Sequence, residues 1–147
     1  MKEKNFEIKI ADLLNHLGSD TIEFSEMKTP LLPHLTEKGI SGMLKLYAVD
    51  GKSILVHLEE GKASLSDTCE ICGKAFIRSL HIDRYEAKFT LDAKELEESN
   101  EEVLFLIEAK NATINVEEML YQAVMLQTPF VIACEKCEKR TLTDDEV

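Results

Sequence analysis

Two stretches of this chain, SDTCEICGKAF at residues 66–76 and PFVIACEKCEKR at residues 129–140, carry all of its cysteines. The four thiols, Cys69, Cys72, Cys134 and Cys137, form two C-x-x-C pairs with 61 residues between them. A C-x-x-C turn sets two thiolates on one side of a metal ion, and two such turns complete the tetrahedral shell that zinc prefers. No cysteine is left over. Four thiolates leave no open position for water or substrate, so the reading is a structural Zn2+ and not a catalytic one. The separation exceeds that of a compact zinc ribbon. The fold must therefore bring the pairs together and staple the middle of the chain to its C-terminal end. Lys74, Lys136, Lys139 and Arg140 flank the pairs, where they can offset the net charge of about −2 of a four-thiolate zinc centre. Two other chemistries stay open. Each pair could be a thioredoxin-like dithiol, which calls for a helix N-terminus in a βαβ setting, with a zinc-releasing redox switch as its subtler form; or the thiols are unbridged.

The elements that must position these thiols are mostly strands. Phe6, Ile8 and Ile10 alternate with polar residues and predict a strand running into a short turn or helix. TIEFSEM (21–27) predicts a weaker strand, and TPLLPHLTEKG (29–39), with two prolines and a glycine, a loop. GISGMLKLYAVDGKSILVHLEEG then holds two β-rich runs around Asp50-Gly51, a dipeptide suited to a tight hairpin because glycine accepts positive φ. Residues 62–68 predict a strand leading directly into Cys69. FIRSLHIDRYEAKFTL predicts one long strand with a register change near Ile82 to Tyr85, read as a bulge. EVLFLIEAK reads as a buried strand, and a short apolar strand precedes Cys134. NATINVEEMLYQAVMLQTP is the one strong helix, with Asn115 as cap, Glu118 completing a capping box and Pro129 as stop. Its apolar face is Val116, Met119, Leu120, Ala123, Val124 and Leu126, a core stripe. The expected fold class is mostly β or α+β: an antiparallel sheet or partly open barrel with one main C-terminal helix, its two knuckles joined by zinc.

Composition limits the partners. The chain has 147 residues, 44% of them hydrophobic, enough for one domain (1–147) with a core that must be aliphatic, since Trp is absent and aromatics reach only 6%. Its formal charge is −11, which as a whole repels nucleic acid and anionic membranes, so binding to either needs a local basic patch. Residues 92–102 (DAKELEESNEE) carry six acids against one lysine and read as a solvated loop; residues 141–147 read as a polar tail. MKEKNFEIKI has no apolar core of a signal peptide, and no apolar run approaches the roughly 18 residues of a membrane span, so the expected location is the cytoplasm.

Residues 38–140 resemble the YceD family of bacterial proteins, with plastid relatives, associated with accumulation of large-subunit ribosomal RNA. The resemblance rests on order: a glycine-containing strand pair, the knuckle TCEICGKAF, an acidic spacer, a helix ending in proline, and a last cysteine cluster. The sequence departs from the family's arginine and leucine around the second cysteine, having Ile71 and Gly73 there. The resemblance implies a role in ribosomal RNA accumulation or large-subunit biogenesis, with ribosomal RNA, a large-subunit protein or an assembly factor as partner. Motifs for an enzyme are missing: there is no P-loop, GxGxxG, GxSxG or HExxH, and His16, His34, His57 and His81 stand apart from each other and from the cysteines. Glu59-Glu60 and Glu117-Glu118 read as solvated charges. The expectation is a non-enzymatic, zinc-stapled factor with no small-molecule substrate. Its candidate contact surface is Lys74, Arg78, His81 and Arg84 together with Lys136, Lys139 and Arg140. The alternative is an acidic protein–protein adaptor that binds a basic ribosomal protein or assembly factor; a third reading is a thiol redox sensor.

Overall fold

The computed structural model describes residues 6–92, 94, 104–129 and 131–137. Three strands of 16 residues each dominate it: β3 (Leu35–Asp50), β4 (Ser53–Thr68) and β5 (Ala75–Thr90). At roughly 3.3 Å per residue each is about 50 Å long. With β2 (Ser19–Met27) and β6 (Leu104–Leu106) they form a five-stranded sheet in the order β2-β3-β4-β5-β6, antiparallel except for the parallel β5–β6 pair. The sheet is not closed into a barrel. A second, two-stranded sheet pairs β1 (Glu7–Lys9) with β7 (Thr113–Asn115). Helix α1 (Ala11–His16) follows β1, and helix α2 (Glu117–Leu126) follows β7. Among the described residues no helix is long and apolar enough to cross a membrane.

The core is aliphatic, as the composition requires. Ile10, Ile40, Leu46, Ile54 and Leu58 are fully buried, and Phe89 stacks on Phe105 at 5.1 Å. Along β4 the buried positions other than Ser53 and Ser64 are Ile54, Val56 and Leu58 and then Gly61, Ala63 and Leu65, so the apolar alternation changes phase at Glu60, whose φ is +52°. β5 changes phase at the same level, from Leu80 and Ile82 to Ala87 and Phe89. The register change expected near Ile82 to Tyr85, read as a bulge, does not occur against β4; only the burial of β5 changes phase there. Glu59↔Arg84 and Gly61↔Ile82 stay in one register because both strands shift together, and the mismatch falls on the β3–β4 side, between Ser41 and Met43. Such paired irregularities twist the strands while keeping one face apolar. Gly61 gives room at this bend: a Cβ there would stand 3.0 Å from that of Ile82, so the two strands would have to part slightly.

Several local expectations change. β3 begins at Leu35, paired with Leu65, so the proline-containing loop is shorter than 29–39. The Asp50-Gly51 hairpin forms, but Gly51 is not a positive-φ glycine; the Asp50 carboxylate holds the turn by accepting the Lys52 N–H at 2.7 Å. Among the described residues, the segment read as a buried strand pairs with β5 over Leu104–Leu106 at the sheet edge, where Leu106 is half exposed, and adds an isolated bridge, Glu108↔Thr113. Val116, not Asn115, is the N-cap of α2, and Asn115 Oδ1 accepts the Glu117 N–H at 2.9 Å from one residue further out. Val116 makes no side-chain capping bond, so the Asn115 bond alone covers the helix start, and the box with Glu118 is absent among the described residues. Met119, Leu120, Ala123 and Val124 are buried, whereas Leu126, the last helical residue, is 70% exposed past the end of the core. No strand precedes Cys134 among the described residues 131–134; Ile132 instead gives its C=O to the Glu70 N–H at 2.8 Å. The acidic segment lies outside the described residues except for Asp92 and Lys94.

Candidate metal centre

Cys69 and Cys72 sit in the tip of the β4–β5 hairpin. Thr68↔Ala75 is the last strand pair, and residues 69–74 are the loop beyond it. That loop closes on itself. Cys69 N–H donates to Lys74 C=O at 2.8 Å and Gly73 N–H to Cys69 C=O at 2.9 Å, while Cys72 N–H points at Cys69 Sγ at 3.4 Å. Gly73 has φ +74°, a left-handed conformation that a Cβ would strain. The sulfur of Cys69 thus accepts a backbone hydrogen bond within its own loop.

The second pair comes to this tip from the C-terminal stretch that leaves α2. The Glu70–Ile132 backbone bond lays that stretch against the loop, and Phe76 and Ala133 pack around the sulfurs. The four sulfurs lie within 4.8 Å of one another, and Cys72 Sγ is 3.8 Å from Cys134 Sγ. Sulfurs at the corners of a tetrahedron with metal–sulfur bonds near 2.3 Å stand about 3.8 Å apart. A disulfide would need about 2.05 Å, and all four thiols are free. The cluster can hold a metal ion. Cys69, Cys134 and Cys137 are buried at 1%, 9% and 6% exposure, leaving Cys72 as the exposed corner.

The electrostatics split the cluster. The Cys69 thiol is lowered from 9.0 to about 6, chiefly by the Cys72 backbone N–H, against the opposing effect of burial. Burial first, and then hydrogen bonding with the other three cysteines, pushes Cys137 up to about 12. One sulfur is ready to ionise and another resists. A cation among them would draw the remaining protons off, which is how metal binding to thiols releases protons.

The basic residues behave differently. Lys74 and Lys136 are exposed beside the cluster. Arg78 Nε donates to Asp67 Oδ2 at 2.8 Å, with only 15% and 10% of the two side chains exposed. Arg84 Nη2 meets Glu86 Oε1 at 2.6 Å and His57 Nδ1 at 3.2 Å. His81 is exposed on β5, opposite Lys62. Lys139 and Arg140 lie outside the described residues. Arg84 is nine positions beyond Ala75 in one strand, about 30 Å at the usual rise. The fold thus gathers the cysteines, keeps Lys74 and Lys136 beside them, and spreads Arg78, His81 and Arg84 along β5, the two arginines ion-paired. His57 contacts the Tyr47 ring and Glu86, so it belongs to an exposed polar cluster on the sheet and not to the cysteines. Compared with known proteins, the chain matches no family model, no curated protein and no solved structure.

Proposed function

We propose that this chain is a zinc-stapled binding factor, without chemistry of its own, that assists accumulation of large-subunit ribosomal RNA in the cytoplasm. One observation carries the metal part: two distant C-x-x-C pairs place four sulfurs within 4.8 Å. Zinc suits four thiolates, needs no redox partner, and in such a shell joins hairpin tip to C-terminal stretch without offering a reactive position. The ribosomal part rests on the order of elements that resembles the YceD family. We expect native mass spectrometry to find one zinc per chain. A folded protein free of metal would overturn the staple. Recovery of partners from lysate should yield ribosomal RNA or large-subunit proteins, and their absence would overturn the ribosomal role.

A second reading makes the direct partner a protein: the chain acts as an acidic adaptor for a basic ribosomal protein or assembly factor. Two ion pairs, Arg78–Asp67 and Arg84–Glu86, favour it, because they engage two of the cations an RNA patch would use, in a chain of net charge −11. Ribonuclease separates the readings. Capture that survives the treatment supports the adaptor, and capture that vanishes supports direct RNA contact.

A further inference from the structure

Among the described residues, one edge of the long hairpin is left without a strand partner over most of its length. β4 pairs with β5 from Ser53↔Thr90 to Thr68↔Ala75, but β6 reaches only Lys88, Phe89 and Thr90 on the other side. From Ala75 to Ala87 the outer edge of β5 therefore has no ladder partner among the described residues. Every second residue there turns its N–H and C=O away from β4, since an antiparallel strand directs these groups alternately to its two sides. Sheets ordinarily blunt such an edge with lysine, proline or a bulge. Over Phe76–His81 the one formal charge is Arg78, and it is already held by Asp67.

A groove adjoins this edge. Gln127, Pro129, Val131, Ala133 and Glu135, alternate residues of the stretch after α2, line this open groove of about 660 Å³ together with Phe76–His81. The groove presents apolar side chains to solvent: Ile77 is 67% exposed and Val131 45%. At His81 it adjoins a second depression of about 540 Å³, where Glu23, Glu60 and Asp83 face the single cation Lys62. The edge thus offers backbone pairing, the groove apolar contact, and its far end negative charge.

We propose that this groove takes an extended peptide from a partner protein as an added strand on β5. Apolar side chains at alternate positions of the peptide fill the groove, and a Lys or Arg near its end reaches the depression at Glu23, Glu60 and Asp83. Backbone pairing supplies affinity in this mode of recognition, and alternate side-chain pockets supply selectivity. The acidic end and the net charge of −11 favour a basic peptide and repel a nucleic-acid strand. The inference deepens the adaptor reading and rests on it for the partner being a protein.

The test starts with a displayed library of random dodecapeptides panned against the purified full chain. Enriched sequences should alternate apolar residues and carry Lys or Arg near one end. An enriched peptide, fluorescein-labelled, is then N-methylated one position at a time. Its affinity by anisotropy should fall tenfold or more at every second position and hold steady in between, a pattern that side-chain contact alone does not give. Ile77→Lys should weaken binding tenfold or more with an unchanged melting temperature, and Asp83→Lys should remove the preference for the basic residue. The proposal is overturned if no sequence is enriched, if methylation has no period of two, if Ile77→Lys binds as well, or if an oligouridylate displaces the peptide competitively. Ribonuclease-resistant capture of a protein that persists in Ile77→Lys would overturn the groove alone and leave the adaptor reading standing.

Discussion

The two knuckles have the same spacing and very different support. The first is the tip of a hairpin whose strands pair without a break up to Thr68↔Ala75, and its own backbone bonds and Gly73 shape it. The second follows an irregular stretch that the described backbone bonds tie to the tip at one place, Glu70 to Ile132. Its sulfurs are buried by that approach and not by a sheet of their own. The difference teaches how a distant four-cysteine site is assembled: one half preformed by local pairing, the other recruited. Closing the intervening loop costs chain entropy that grows only slowly with length, so a long spacing is tolerable if the ion supplies the closing contact.

The largest effect should come from removing a sulfur. Each of Cys69→Ser and Cys134→Ser takes one thiolate from the same shell, so both should lose tight metal binding and several kcal/mol of stability, on the order seen when a structural metal is lost. Metal content and denaturant midpoints check this. Equal loss from a preformed and a recruited knuckle means one shared ion; if one variant kept its metal while the other lost it, the knuckles would not share a centre.

The next effect shows only in the metal-free protein, as a function of pH. Cys69 is lowered from 9.0 to about 6 in the fold, so its contribution to stability is full above pH 9 and is lost as pH falls through 6. Cys137 is raised from 9.0 to about 12, so its contribution is full below pH 9 and is lost as pH rises toward 12. Urea midpoints measured in chelator should therefore climb from pH 6 to 9 and decline above 9. Cys69→Ser should erase the climb and Cys137→Ser the decline. A Cys69→Ser profile that still climbed would remove the assignment of the ready thiolate to the first knuckle.

What could be read from the sequence was what is local. The C-x-x-C spacings, the Asp50-Gly51 hairpin and the stripe of α2 each lie within a few residues of their cause. What could not be read depended on partners distant in the chain. Arg78 looked like a free cation beside a knuckle, yet Asp67, eleven residues earlier, sits across the hairpin from it and takes its charge. The apolar run before Cys134 looked like a strand because Val131 and Ile132 suit one. After Pro129 the described residues find no ladder, and Ile132 gives its carbonyl to Glu70. Glu60 carries no mark of a left-handed residue; only its place in the bend, level with Asp83, requires one. Its neighbour Gly61 did carry a signal, since an isolated glycine in a strand pattern points to a bulge or a close approach.

The smallest effect separates two glycines that the sequence places in equivalent-looking turns. Gly73 and Gly51 each sit in the loop of a long hairpin, and a Cβ on either would meet nothing within 4 Å. Space therefore cannot distinguish them, and backbone conformation must. Gly73 has φ +74°, so Gly73→Ala forces an L-residue into the left-handed region at a cost of about 1–2 kcal/mol. Gly51 is outside that region, so Gly51→Ala restricts only the unfolded chain and should be neutral or stabilising by up to about 1 kcal/mol. Chemical denaturation of the two variants, both metal-loaded, reads the difference directly. Because Gly73 N–H also closes the loop on Cys69 C=O, Gly73→Ala should weaken metal affinity as well, while Gly51→Ala should leave it unchanged. Equal midpoints and equal affinities in the two variants would mean that the first knuckle is not held by its own turn, and the contrast between a preformed and a recruited half would fall with it.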